Sequence, residues 1–114
     1  MIADWQPVRE WHRAVNHRDF EALRAVVAED IEMRGPKGAE TGAGTLIEWV
    51  ERSGIQLVAN AYHPVSESAV IVEQDASWPG SALMRVATLF RLKDDRITYA
   101  ERFTSLDAAR DALK

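Results

Sequence analysis

The 114-residue chain predicts an α+β fold, with helices grouped ahead of an antiparallel sheet, from three observations. The first is the paired run from Ala69 to Leu92, two β-rich stretches joined by Pro79-Gly80-Ser81, which reads as a long antiparallel hairpin. The second is element order: helix, helix, short strand, helix, and then longer strands in meander. The third is size, since a chain of this length buries one core without metal or disulfide staples and leaves no room for a second domain.

The hairpin sets its own register. A three-residue turn puts Val70 opposite Phe90, Val72 opposite Thr88, Gln74 opposite Val86, Ala76 opposite Met84 and Trp78 opposite Ala82, so one face is almost wholly apolar. The other face pairs Ile71 with Leu89, Glu73 with Ala87, Asp75 with Arg85 and Ser77 with Leu83. A two-residue turn mixes the faces along the whole strand, so the three-residue register is preferred.

Ahead of the hairpin, Asp4 is an N-cap for a helix running to about Val15, with Pro7 in its first turn, where no N–H partner is lost. Trp5, Val8, Trp11, His12 and Val15 share one stripe of that helix. Asn16-His17-Arg18 breaks the pattern, and Asp19 caps a second helix burying Phe20, Leu23, Val26 and Val27. Asp30 to Arg34 alternates as a short strand ended by Gly35-Pro36-Lys37-Gly38. Thr45-Leu-Ile-Glu48 has the form of a capping box opening a third helix, which Gly54 closes. Ile55 to Val65 is extended and, with Pro64 in it, expected to bend or bulge. After the hairpin, Asp94-Asp95 turns the chain into Ile97 to Phe103. Ser105 then caps a short C-terminal helix with Leu106, Ala109 and Leu113 inside.

Composition narrows the function classes. Net charge is -4 with no basic stripe for a phosphate backbone, so nucleic acid is not expected as a partner. There is no cysteine, no apolar run long enough to span a membrane and no signal-peptide pattern at the amino terminus, so a soluble, cytoplasmic protein is the expectation. His12, His17 and His63 have no metal-ligand spacing, and neither a metal nor another cofactor is expected. No serine sits in a G-x-S-x-G stretch, and Gly35, Gly38, Gly42 and Gly44 lack the order of a phosphate loop.

Four stretches carry a family resemblance: Ala14-Val-Asn-His-Arg-Asp-Phe20, Ala28-Glu-Asp-Ile-Glu-Met-Arg-Gly-Pro36, Ser66-Glu-Ser-Ala-Val-Ile-Val72 and Phe90-Arg-Leu-Lys-Asp-Asp-Arg-Ile97. Over almost its whole length the chain resembles the nuclear-transport-factor-two-like superfamily, which includes ketosteroid isomerases and SnoaL-like polyketide cyclases. The resemblance implies a cone-shaped, curved antiparallel sheet, a cystatin-like α+β roll with three N-terminal helices on its concave face. It also implies a pocket at the wide end, and often a dimer through the convex face. The steroid isomerases' general base and two oxyanion donors fall on Gly35, Trp11 and Thr88, so all three roles are unfilled and that proton abstraction is not implied.

Residues for a pocket follow from the register. Gln74 and Thr88 are polar exceptions on the apolar face, able either to orient a ligand or to bond each other or a trapped water. Met84 and Val86 share that face, and Trp11, Trp49 and Trp78 are candidate walls. A two-residue Asp94-Asp95 turn sets Tyr99 beside Phe90 and Glu101 beside Thr88, which makes Glu101 the candidate general base; one residue of slip presents Arg102 instead. The functional expectation is a pocket for a small, largely apolar molecule. The rival is an interaction domain whose cavity is filled by its own tryptophans. Ile71, Leu83 and Leu89, left on the other face among charges, suggest a homodimer through the outer side of the sheet.

Overall fold

The computed structural model describes residues 5–114, so the Asp4 cap lies outside the described residues. Helix α1 (Gln6–His17) carries Pro7 in its first turn and ends with Arg18 in the left-handed region at φ 57°. There Asp19 N–H donates to the Ala14 carbonyl at 2.9 Å, a closing bond that reverses the chain within two residues. Asp19 then caps α2 (Phe20–Val26), its carboxylate accepting from Ala22 N–H at 3.1 Å. Asn16, in the last turn of α1, makes a two-way clamp on Leu57: its amide donates to the Leu57 carbonyl and its side-chain oxygen accepts the Leu57 N–H, both at 2.7 Å. That clamp fixes α1 against the sheet.

Six strands form one sheet in the order β2-β1-β6-β5-β4-β3. Strands β3 (Gln56–Ser66), β4 (Ala69–Ser77), β5 (Met84–Lys93) and β6 (Arg96–Phe103) run as the antiparallel meander expected from their order. The β4/β5 register is the one argued from alternation, from Val70 opposite Phe90 to Ala76 opposite Met84. The strands part earlier than a three-residue turn requires, and Trp78 to Ser81 make a β-turn in which Ser81 N–H donates to the Trp78 carbonyl at 3.0 Å. Gly80 takes φ 79° at its third position, after Pro79, as a type II turn needs.

The sheet departs from the expected fully antiparallel one. Strand β1 (Val27–Gly35) pairs in parallel with β6, and Gly38–Thr41 forms an extra strand, β2, hairpinned onto β1. All four residues of β2 are exposed, so nothing in their hydropathy marks them as a strand. Helix α3 (Ala43–Ser53) begins two residues before the expected capping box, with Gly42 at its N-cap at φ 106°, and ends at Gly54 as expected. β3 bulges near Asn60 and again after Pro64, which breaks its pairing with β4 into three segments.

Two apolar clusters divide the molecule. On the inner face, Val70, Val72, Val86 and Phe90 share a core with Val8, Trp11, Leu23, Leu46 and Val50 from the three helices. On the outer face, Ile71, Ala87 and Leu89 pack with Leu106 and Ala109 of the C-terminal helix α4 (Leu106–Asp111) and with Leu113 just beyond it. Ile71 and Leu89 are therefore buried within the single chain, and Leu83 lies in the loop before β5. Two of the three aliphatic residues behind the expected outer-face homodimer, Ile71 and Leu89, are thus packed with α4, whereas Leu83 stays exposed. Among the described residues no helix is long and apolar enough to cross a membrane.

Candidate functional site

A cavity of about 390 Å³ opens between the inner sheet face, α1, α3 and the β1–β2 hairpin. Trp11 from α1, Leu46 and Trp49 from α3, Ile55 and Leu57 leading into β3, and Phe90 from β5 give it an apolar wall. Arg34 to Glu40 form one side, so the strand that sequence reading missed builds part of the mouth. The Trp11 ring meets Phe90 edge-on at 5.2 Å, which fixes the wall beneath it.

A short polar chain runs through this apolar setting. Thr88 Oγ1–H donates to Gln74 Oε1 at 2.6 Å, and the Gln74 amide donates to His12 Nε2 at 2.8 Å. His12 Nδ1–H in turn donates to the Val8 carbonyl, one turn back on α1, at 2.7 Å. Each bond fixes the direction of the next, so His12 is the neutral Nδ1–H tautomer. Burial pushes the His12 pKa below its ordinary value, against a smaller upward pull from the Val8 carbonyl. Gln74 and Thr88 thus bond each other, and both also line the cavity. His12 is the member of the network that sequence reading placed only on a helix stripe; its spacing from Gln74 across 62 residues left no local signal.

Arg102 also lines the cavity, opposite Thr88 on the neighbouring strand. The cause is one extra residue. Asp94 and Asp95, at φ 53° and 62°, make the expected two-residue turn and pair Leu92 with Ile97, but a bulge at Thr98 then shifts the register by one. Glu101, expected beside Thr88, lies instead opposite Leu89 on the outer face, where the Tyr99 hydroxyl hydrogen-bonds its carboxylate at 2.5 Å. Tyr99 follows Glu101 outward and sits beside Arg91 rather than Phe90. Burial and the Glu101 carboxylate together push the Tyr99 phenol up to about 12.

The remaining candidates divide. Trp11 and Trp49 are in the cavity wall, whereas Val86 is buried in the inner core and Met84 is exposed, neither lining the cavity. Trp78 is outside the wall too, but its ring lies 5.6 Å from the Arg102 guanidinium and supports it from behind. Arg102 makes no ion pair among the described residues, and burial lowers its pKa. Trp11 Nε1–H is likewise buried without a hydrogen-bond partner among the described residues. Gly35, at the position of the steroid isomerases' base, lines the cavity with backbone only. No group of three or more His, Asp or Glu side chains among the described residues is arranged to hold a metal ion.

No curated protein matches the chain. Solved structures of the same fold are numerous. An NTF2-like protein of unknown function from Cytophaga hutchinsonii superposes with a TM-score of 0.83 at 19% identity, covering 100% of this chain and 97% of that one. A Kribbella flavida protein provisionally assigned as a ketosteroid isomerase gives 0.77 at 16% identity over 88% of this chain and 76% of its own. An LEH-like epoxide hydrolase from M. tuberculosis gives 0.75 at 17% identity over 95% of this chain and 82% of its own. At these identities the likeness is one of fold. The model of the SnoaL-like domain matches residues 8–100, from α1 into the last strand, and the chain belongs to the SnoaL-like domain family.

Proposed function

We propose that this chain is a small-molecule-binding member of the SnoaL-like family whose cavity receives a small, largely apolar molecule at the wide end of a cone. The observation that carries the reading is the cavity of about 390 Å³ walled by Trp11, Leu46, Trp49 and Phe90. A space of that size matches a small organic ligand, and its walls hold only a few polar groups. The tryptophans do not close it: Trp11, edge-on to Phe90, and Trp49 stand in its wall, and Trp5 and Trp78 lie outside the wall. The fold also hosts a protein provisionally assigned as a steroid isomerase and an epoxide hydrolase, and both of those names describe chemistry on small, apolar organic molecules. Binding is the part of that inheritance this cavity supports. The acid–base role expected of Glu101 has no place in it, because that carboxylate faces away from the cavity.

The test uses N-phenyl-1-naphthylamine, a neutral probe whose fluorescence rises in apolar sites. The wild-type chain is expected to enhance it saturably, and Thr45→Trp, which pushes an indole into the cavity from a half-buried position on α3, to abolish the enhancement while leaving the far-ultraviolet dichroism unchanged. Enhancement equal in the two proteins, or none in the wild type, overturns the reading.

A further inference from the structure

Resting on the reading that this cavity binds a small apolar molecule, we infer that the molecule carries a carboxylate, and that Arg102 is the residue that selects it. Arg102 is a half-buried cation in the wall of a cavity whose body is walled by Trp11, Leu46, Trp49, Leu57 and Phe90. A charge removed from water in such a place ordinarily has a counter-charge. Among the described residues none makes an ion pair with Arg102.

The surrounding charges can be followed one at a time. Glu101, next in sequence, is turned to the opposite face by the bulge at Thr98 and is engaged by Tyr99. Arg34 is paired with Glu32 at 2.6 Å. Lys37 and Glu40 are exposed on the β1–β2 hairpin at the edge of the cavity. The charged side chains lining the cavity are Arg34, Lys37, Arg102 and Glu40; with Arg34 answered by Glu32, two cations stand against one anion, although the whole chain carries a net charge of -4. An acidic protein that gathers positive charge around one apolar cavity has a local field suited to an anion.

Two further features favour a carboxylate over a merely polar group. The guanidinium lies over the Trp78 ring at 5.6 Å, a cation–π contact that uses none of its N–H donors, and a guanidinium's planar fork matches a planar carboxylate. The unmatched group in the wall besides Arg102 is Trp11 Nε1–H, again a donor. The acceptor of Gln74, by contrast, is already met by Thr88, and the acceptor nitrogen of His12 by Gln74. The wall has donors to spare, and its buried Gln74 acceptor is filled from within, as is the His12 acceptor behind it. An apolar body against Trp49, Leu46 and Phe90 with a carboxylate at Arg102 completes that balance.

The experiment compares 4-phenylbutyrate with 4-phenylbutan-1-ol, two probes that differ only at the polar end, by calorimetric titration at neutral pH. Wild-type protein is expected to bind the acid more tightly by about tenfold or more, the range of a charge-assisted hydrogen-bonded pair. Arg102→Met should lower affinity for the acid to that for the alcohol and leave the alcohol unchanged, which also shows that the variant is folded. Arg102→Lys, keeping the charge without the fork, should retain part of the preference. Equal affinity of the two probes for wild type, or a preference for the acid that survives in Arg102→Met, overturns the inference while the apolar pocket stands. Binding of neither probe overturns the pocket and the inference together.

Discussion

Alternate residues of one hairpin meet opposite fates. On β4 and β5, Gln74 and Thr88 point inward, while Glu73, Asp75 and Arg85 point outward one residue away. The inward pair is neutral, buried and joined to His12 in a directed chain of hydrogen bonds. The outward set is charged: Arg85 bonds Asp75 at 2.7 Å and lies 3.9 Å from Glu73, which in turn meets His63 at 2.8 Å. By simple count of polar contacts the outer set is the richer. Solvation reverses the ranking, because a lost partner is replaced by water outside and by nothing inside.

The comparison breaks most visibly at Gln74. Gln74→Leu keeps the volume but leaves the Thr88 hydroxyl without its acceptor and His12 Nε2 without its donor, two buried groups at about 1–3 kcal/mol each. A loss of about 3 kcal/mol in urea unfolding is expected. A loss below about 1 kcal/mol would mean that water from the cavity replaces the amide, and that the inner network behaves like the outer one.

How much of this was readable beforehand depends on how local the cause is. The hairpin register followed from alternation and a Pro-Gly turn, both confined to residues 69–92, and the caps at Asp19, Gly54 and Ser105 were equally local. The β5/β6 register was not, because the bulge at Thr98 leaves no mark in composition yet exchanges Glu101 for Arg102 at the cavity. Parallel pairing of β1 with β6 joins residues about seventy positions apart, and no short-range pattern encodes it. The C-terminal helix was expected with Leu106, Ala109 and Leu113 inside, but that Ile71 and Leu89 were what it covers needed the fold. Network membership of His12 has the same origin: its stripe was visible, its partner 62 residues away was not.

A second, smaller effect makes the inner network sensitive to pH through His12. Burial holds His12 below its ordinary 6.5, so between that value and its folded-state pKa the unfolded chain binds a proton that the folded chain refuses. The stability it contributes is complete above about pH 6.5 and is lost as pH falls below it, at no more than about 1.4 kcal/mol per pH unit for one proton. Urea midpoints measured between pH 7.5 and 5.5 in about half-unit steps should fall only in the acid half of that range. Nitrogen-15 shifts of the His12 ring should show the neutral Nδ1–H pattern still predominating at its ordinary value of 6.5. A His12 ring that titrates at or above its ordinary value would show that the bond from Gln74 is not holding the tautomer.

The smallest effect belongs to the outer ion pair. Arg85 lies directly across from Asp75 and draws the Asp75 carboxyl below its ordinary pKa by a hydrogen bond, with a second from the Asn60 side chain. Arg85 is exposed and Asp75 partly so, and water competes for the pair while salt screens its attraction. The hairpin does not need them for register, since Val70, Val72 and Phe90 on the inner face fix it by burial. Asp75→Asn, Arg85→Gln and the double variant should therefore share the wild-type urea midpoint at about 0.15 M salt, with no measurable coupling between the two sites. A loss approaching that of Gln74→Leu would place the specification of this hairpin on its charged face and invert the ranking of the two sides.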